Sequence, residues 1–263
     1  MLDRTIGRFA IRTRIGAGNF GEVWRAEHID GGNTVAIKII HPELAQLDAI
    51  HAMFAEAKTL SRVAALGIAK IYDADLFCGQ PFVISELVAG ETLADHIQRG
   101  RFSSTQVVAT LHPLARALST AHGVGVMHHD LKPTNVMLAG ERVVIVDFAM
   151  SKLVAAVPER GTAAYMAPEQ LDGVAADGTA DVYALGCVAY EMACQRPPFS
   201  PNQPRYPAPS VRALVPDCGP VLDRLIANML EARPQDRLSM REVTKRFGML
   251  ASTEAPLDDT LDG

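Results

Sequence analysis

Residues 9–40, FAIRTRIGAGNFGEVWRAEHIDGGNTVAIKII, alternate apolar and polar positions around glycine clusters. A period of two broken by glycines predicts a three-stranded antiparallel meander. The period then lengthens. In LDAIHAMFAEAKTLSRVA, Ile50, Phe54, Ala57 and Leu60 fall on one face of a helix. IAKIYDADLFCGQPFVISEL returns to strand character on either side of a Gly-Gln-Pro turn. Through Leu87 the pattern gives a five-stranded sheet with one main helix, and Leu87–Gly90 breaks it. From Thr92 onward helices dominate. Thr92 and Asp95 have the spacing of a capping box. SSTQVVATLHPLARALSTAHG carries Val108, Leu111, Ala115, Leu118 and Ala121 on one face, with Gly123 as a stop and a kink expected at Pro113. Two short strands, VMLA and VVIVDF, follow, and helices continue to about Leu250. The fold class is therefore α+β. Residues 1–87 form a small β lobe, residues 88–250 a larger and mainly helical lobe, and residues 251–263 an acidic tail expected to be disordered.

Composition narrows the classes. The chain has 263 residues, 48% of them hydrophobic, enough for a substantial core. A net charge of −5 and the lack of a basic stripe argue against a nucleic-acid partner. Cys78, Cys187, Cys194 and Cys218 form no CxxC pair, so reduced thiols in a cytoplasmic compartment are expected rather than zinc or disulfides. No secretory leader and no apolar run of bilayer length is present. DVYALGCVAYEMAC, the best candidate, opens on an Asp and reads as a buried core helix.

Four stretches carry chemistry. GAGNFGEV, Gly16–Val23, sits between two strands, where backbone N–H groups can approach phosphates without Cβ interference. A flexible hairpin is an equal reading of that stretch alone. No Lys-Ser/Thr follows it and no helix, so it is neither a Walker A loop nor a dinucleotide fingerprint. VAIK puts Lys38 in an apolar strand, where it needs an anion, and Glu56 on the following helix is the natural partner. A lysine extending its charge past a strand end is the alternative. GVMHHDLKPTNVML, residues 125–138, sets Asp130, Lys132 and Asn135 in a loop between helix and strand. Asp130 suits a general base, Lys132 a phosphoryl neutraliser, and the Asn135 amide oxygen a hard cation. In VDFA, Asp147 ends a Val-rich strand; with Asn135 it would complete a Mg²⁺ site.

In this order, GAGNFGEV, VAIK, HHDLKPTN, DFA and APE make the chain resemble a eukaryotic-like, bacterial-type Ser/Thr protein kinase catalytic domain, across residues 8–250. The resemblance implies a bilobal protein-kinase-like fold and transfer of the γ-phosphoryl group of ATP to Ser or Thr hydroxyls of protein substrates, with Mg²⁺ or Mn²⁺. It implies phosphate cover by Gly16, Gly18 and Gly21, and adenine contacts from Ile15, Val23, Ala36 and Met137. Ser85 would stand just before the hinge, with Glu86 to Val88 offering backbone bonds to the base. Lys38 would hold the α- and β-phosphates and pair with Glu56, while Asn135 and Asp147 would hold the metal. Leu60, Tyr72, His128 and Phe148 would stack between the lobes. Glu169 in GTAAYMAPEQ should pair with Arg237, Asp181 should anchor the catalytic loop, and Lys132 with Thr162 favours Ser/Thr over Tyr.

Two positions depart from the family pattern. His129 stands where many relatives carry an Arg that binds activation-loop phosphate, and residues 153–160 hold no Ser, Thr or Tyr. Control by phosphorylation in mid-loop is therefore not expected, and His129 is expected to pack or to bond a loop carbonyl. Ala149 replaces a Gly. Ala disfavours positive φ, so it should restrict flipping of Asp147 and Phe148. These departures motivate an alternative, a pseudokinase scaffold. A small-molecule phosphotransferase is disfavoured by APE and Arg237. Glu91 and Asp95 near the peptide entrance would favour a basic substrate residue, although Asp95 serves equally as a cap. No sensor segment is read within these residues, so control is expected from a regulatory partner, from other chains or from a longer protein of which this is a part.

Overall fold

The computed structural model describes residues 5–45, 48–63, 66–157, 163–199 and 207–253. Thr162 and residues 254–263 lie outside the described residues, and the first three residues of the tail expected to be disordered, Ala251 to Thr253, are helical instead. Six antiparallel strands form the first sheet: β1 (Thr5–Ile6), β2 (Phe9–Gly18), β3 (Gly21–His28), β4 (Thr34–Ile40), β5 (Ile71–Phe77) and β6 (Gln80–Glu86), in the order β1-β2-β3-β4-β6-β5. The five strands expected are joined by β1, which folds back onto β2 through Gly7 at φ +54°. Two residues are too few to display a period of two, so β1 is invisible to patterning.

β4 is flanked on both sides and almost wholly buried, which explains its unbroken apolar run. Its Val35, Ile37 and Ile39 share an outer cluster with Ala26, Phe82 and Ile84. Ala36, Lys38 and Ile40 alternate to the opposite face. At its Ile40 end that face joins the core beneath α1 (Ala49–Leu60), which buries Ile50, Met53, Ala57 and Leu60, and with them Glu56.

A second sheet, β7 (Glu91–Thr92), β8 (Val136–Ala139) and β9 (Arg142–Ile145), leads into the helical part. α2 (Leu93–Arg99) starts on the expected Thr92–Asp95 capping box, and α3 (Ser104–Gly123) on a second one from Ser103 and Gln106. α3 runs as one helix through Pro113. The proline removes one N–H, but the apolar face on both sides of it (Leu111, Leu114, Ala115, Leu118) is buried and holds the helix together. The remaining helices are α4 (Ser151–Ala156), α5 (Pro168–Leu171), α6 (Gly178–Cys194), α7 (Val211–Leu214), α8 (Pro220–Met229) and α9 (Met240–Thr253). α6 is the buried core helix expected of DVYALGCVAYEMAC. At Gly186 a Cβ would stand 2.9 Å from Met229 Cβ, so glycine lets α8 lie close. One apolar core runs from Phe20 and Met53 through Leu118 and Tyr183 to Phe247. Among the described residues no helix is long and apolar enough to cross a membrane.

Candidate active site

The two sheets face each other across the site. Gly16 pairs with Val23, Val23 with Lys38, and Ala36 with Ser85, so directly opposed residues carry Val23, Ala36, Lys38 and Ser85 onto one face. β8 brings Met137, half-buried against Ala69, Val88 and Val144. Ile15 lies on β2 and is 49% exposed at the rim. Gly21 is required by close approach, since a Cβ there would meet Ile39 O at 2.1 Å. Glu86 ends β6 with its carboxylate bound to Arg142 Nη1 at 2.8 Å, and this hydrogen bond holds its carboxyl below the usual range. Behind Ser85 lies a recess of about 20 Å³, closed by Phe148 and Met150. The small side chain at Ser85 thus opens no large pocket here.

The loop after α3 is built on a buried carboxylate. Asp181 at the start of α6 is 0% exposed and accepts from the backbone N–H groups of His128 (2.8 Å) and His129 (2.7 Å) and lies 2.8 Å from His122 Nε2. Burial alone would raise its carboxyl, yet the His122 bond and the neighbouring imidazoles hold it far below the usual range. The anchoring expected of Asp181 is therefore present, with His122 an added ligand. His128 is fully buried, which pushes its imidazole pKa down and keeps the ring neutral. Its ring meets Phe148 edge-on at 4.7 Å. His129 takes φ +60°, its ring Nε2 lies 3.3 Å from the Asp177 carbonyl, and its own carbonyl accepts from Gln170 Nε2 at 3.0 Å. The ring bonds a loop carbonyl, one of the two roles expected for it.

Asp130 and Lys132 meet at 2.7 Å, and Asn135 Nδ2 donates to the Asp130 carbonyl at 2.9 Å. The Val146 N–H donates to Asn135 O, so the strand pairing sets Asn135 beside the Val146–Asp147 segment. Asp147 stands at φ +62° and accepts from Lys38 Nζ at 2.9 Å. Burial would raise the Asp147 carboxyl, but the Lys38 charge and hydrogen bond outweigh it and hold the group low. Lys38, Asp130, Lys132, Asn135 and Asp147 thus form one connected group.

Glu56 is not in it. The expected Lys38–Glu56 pair is absent, and Lys38 is taken by Asp147. The Glu56 carboxylate accepts from Ser151 Oγ at 2.8 and 2.7 Å and has Lys152 Nζ at 3.5 Å. The cause is α4, which packs against α1 directly after DFA and places Ser151, 2% exposed, under the carboxylate. Sequence reading missed Ser151 and Lys152. SKLVAA is too short to show a helical period, and the contact spans 95 positions.

Other expectations need correction. Tyr72 is not in the inter-lobe stack. It is 49% exposed, with the Lys70 ammonium over its ring, because Ile71 pairs with Ser85 and faces the recess, which leaves the next residue off that face. Ala149 does adopt positive φ, +69°, while wholly buried. Glu91 is bound by Arg99 at 2.6 and 2.7 Å and Asp95 by its cap, so their charges are satisfied locally. Away from the cleft, Arg237 makes the expected bidentate pair with Glu169, at 2.6 and 2.8 Å, and reaches the carbonyls of Thr179, Glu231 and Ala232.

Among the described residues no cluster of three or more His, Cys, Asp or Glu groups is arranged for a metal. The oxygens of Asn135 and Asp147 suit a hard cation that takes its remaining ligands from phosphates and water.

A sheet lobe with one helix, a helical lobe and this loop group between them define a phosphotransferase architecture, and the chain belongs to the protein kinase domain family, whose model matches residues 9–247. It is 32% identical over 253 residues to the serine/threonine-protein kinase Pkn1 of Myxococcus xanthus, covering 88% of this chain and 36% of that protein. It is 35% identical over 208 residues to the serine/threonine-protein kinase PknA of Mycobacterium tuberculosis, covering 74% and 48%. The chain thus spans about a third to a half of the length of these curated relatives. The crystal structure of the Mycobacterium tuberculosis PknI kinase domain overlays with a TM-score of 0.78 at 27% identity, covering 94% of this chain and 97% of that one.

Proposed function

We propose that the chain is a Ser/Thr protein kinase that transfers the γ-phosphoryl group of ATP to protein hydroxyls, with Mg²⁺ or Mn²⁺ as cofactor. The observation that carries this reading is the connected group of Lys38, Asp130, Lys132, Asn135 and Asp147 beneath a Gly-rich hairpin. The nucleotide would lie between residues 1–87 and 88–250, its adenine between Val23 and Ala36 above and Met137 below. ATP as donor favours a cytoplasmic site of action.

Each residue has a defined task. Lys38 neutralises phosphate oxygens, Asn135 and Asp147 offer oxygens to the cation, Asp130 orients and accepts the proton of the acceptor hydroxyl, and Lys132 balances charge beside it. The bound cation would offset phosphate charge as transfer proceeds. The described arrangement is a resting one. Lys38 and Asp147 neutralise each other; with nucleotide and cation bound, Lys38 would turn to the phosphate oxygens and Asp147 would offer its carboxylate to the cation. Glu56 must then exchange Ser151 for Lys38, which requires α4 to leave α1. His129 holds the Asp177 carbonyl rather than an anion, which supports activity that needs no mid-loop phosphate. No observation favours the scaffold alternative.

Incubation with MgATP and a generic basic protein, followed by phosphoamino-acid analysis, tests the reading. Phosphoserine or phosphothreonine that depends on Asp130 supports it. Phosphotyrosine alone, or no transfer by the parent chain, contradicts it.

A further inference from the structure

A second and much larger recess, about 780 Å³, lies outside the group of residues assigned to phosphoryl transfer. Its apolar lining includes Val63, Ile68, Pro113 and Val143, and Leu66 stands at its edge, 89% exposed. Its charge is unbalanced. Four cations line it, Arg62, Lys70, Arg116 and Arg142, against the two carboxylates of Glu86 and Glu141. Arg142 and Glu86 hold each other at 2.8 Å, and Lys70 lies over the Tyr72 ring. Arg62 and Arg116 are exposed and, among the described residues, have no carboxylate partner. An apolar groove edged by free guanidinium groups suits a ligand that is both apolar and acidic.

The sequence that follows α9 has that chemistry. α9 packs along α3, and a Cβ at Gly248 would stand 3.4 Å from His112 Nε2. His112 directly precedes Pro113, and Arg116 lies one turn on, on the same face of the helix. α9 ends at Thr253, about 7.5 Å beyond Gly248 along its axis. Residues 254–263, EAPLDDTLDG, can span up to about 33 Å. The groove is therefore within reach whichever way α9 runs against α3. This segment carries four carboxylates and no cation, with Leu257 and Leu261 as its large apolar groups. Four positions apart, the two leucines share a side in an extended chain and in a helical turn alike. Such a segment has too few apolar groups to fold alone, and orders only on a surface that supplies both core and countercharge.

We propose that residues 254–263 dock in this groove of their own chain, with Leu257 and Leu261 on its apolar lining and Asp258 and Asp259 toward Arg62 and Arg116. The tether holds the segment at roughly millimolar effective concentration, so modest contacts are enough. The docked segment covers the joint where Ile145 donates to the Gly67 carbonyl at 2.8 Å and accepts from the Ala69 N–H at 2.9 Å, and so braces one lobe against the other. This docking does not depend on the kinase reading.

The test is backbone amide relaxation at Leu257 to Leu261 in the full chain. It compares the parent, the Arg62→Glu/Arg116→Glu variant, and that variant combined with Asp258→Lys/Asp259→Lys. Order parameters should lie near about 0.85 in the parent and below about 0.6 in the arginine variant. Reversing both sides of the charge pattern should restore them, which a loss of fold would not allow. Leu257→Ser/Leu261→Ser should free the segment without touching the folded core. Amide signals of Leu66, Gly67 and Thr120 should shift on release, which places the contact in this groove. A mobile segment in the parent, order that survives the arginine or leucine substitutions, or release with no shift at those three amides would each overturn the inference. Order lost on dilution would put the segment on a second copy and overturn docking within one chain.

Discussion

Replacing Ser151 by Ala removes the hydroxyl that donates to both oxygens of the Glu56 carboxylate, at 2.8 and 2.7 Å. Both residues are buried, at 2% and 8% exposure, so water does not readily take the place of the lost donor. A hydrogen bond to a charged group contributes about 1.5–3 kcal/mol in such a setting. Lys152 remains at 3.5 Å, but its side chain is 51% exposed and the pair contributes little, roughly 0–1 kcal/mol. In the active arrangement proposed above, Glu56 would face Lys38, and Ser151 would make no contribution to it. The substitution therefore weakens the resting state alone and shifts the equilibrium toward the active one by a factor of roughly 10 to 150. The assay is the initial rate of transfer to a protein acceptor at saturating MgATP, with circular dichroism to verify the fold. Where the resting state dominates, the rate rises about ten-fold or more. A Ser151→Ala protein that is folded and no faster than its parent would refute the argument that this hydroxyl restrains Glu56.

Further outcomes follow from the same geometry. Lys38→Met should abolish transfer and let the Asp147 carboxyl rise, because the cation holding it low is gone; carboxyl-carbon NMR titration reads the change. Arg237→Ala leaves Glu169 charged and buried without its partner and should cost about 3–5 kcal/mol in urea unfolding, with Lys a poor substitute for the bidentate fork. Ala149→Gly should change stability by less than about 1 kcal/mol: relief at φ +69° is opposed by a lost buried methyl and a freer unfolded chain, whereas branched Val should cost more than about 2 kcal/mol. His128 is buried with its pKa depressed, so below about pH 6.5 the unfolded chain takes up a proton that the folded ring refuses. Stability therefore rises with pH in that window. The urea midpoint should fall between about pH 7.5 and 5.5 in the parent and fall less in His128→Phe, since depressed carboxylates such as Asp181 contribute only at lower pH.

Local chemistry in this chain is legible from sequence, and non-local competition is not. The Thr92–Asp95 box, the glycine hairpin and the apolar run of β4 each follow from neighbours a few positions apart. Asp181 and the Glu169–Arg237 pair follow from the family resemblance, and both are met in the structure. The partner of Glu56 escapes such reading because two partners compete for it. Ser151 holds the carboxylate while Asp147 holds Lys38, and that outcome depends on where α4 settles. Tyr72 leaves its expected place because the register pairs Ile71, not Tyr72, with the cleft-facing Ser85, and a one-residue difference in register changes which side chain faces inward.

Asp130 and its neighbours stand or fall on one activity, the transfer of phosphate to protein hydroxyls. Intact mass after incubation with MgATP and a basic acceptor protein, beside an Asp130→Asn chain of equal fold, tests it most directly. The expected result is mass gain by whole phosphoryl groups on the acceptor or on the chain itself, lost in the Asn variant. Equal gain with both chains would assign the chemistry to other residues, and no gain with the parent would contradict a kinase outright.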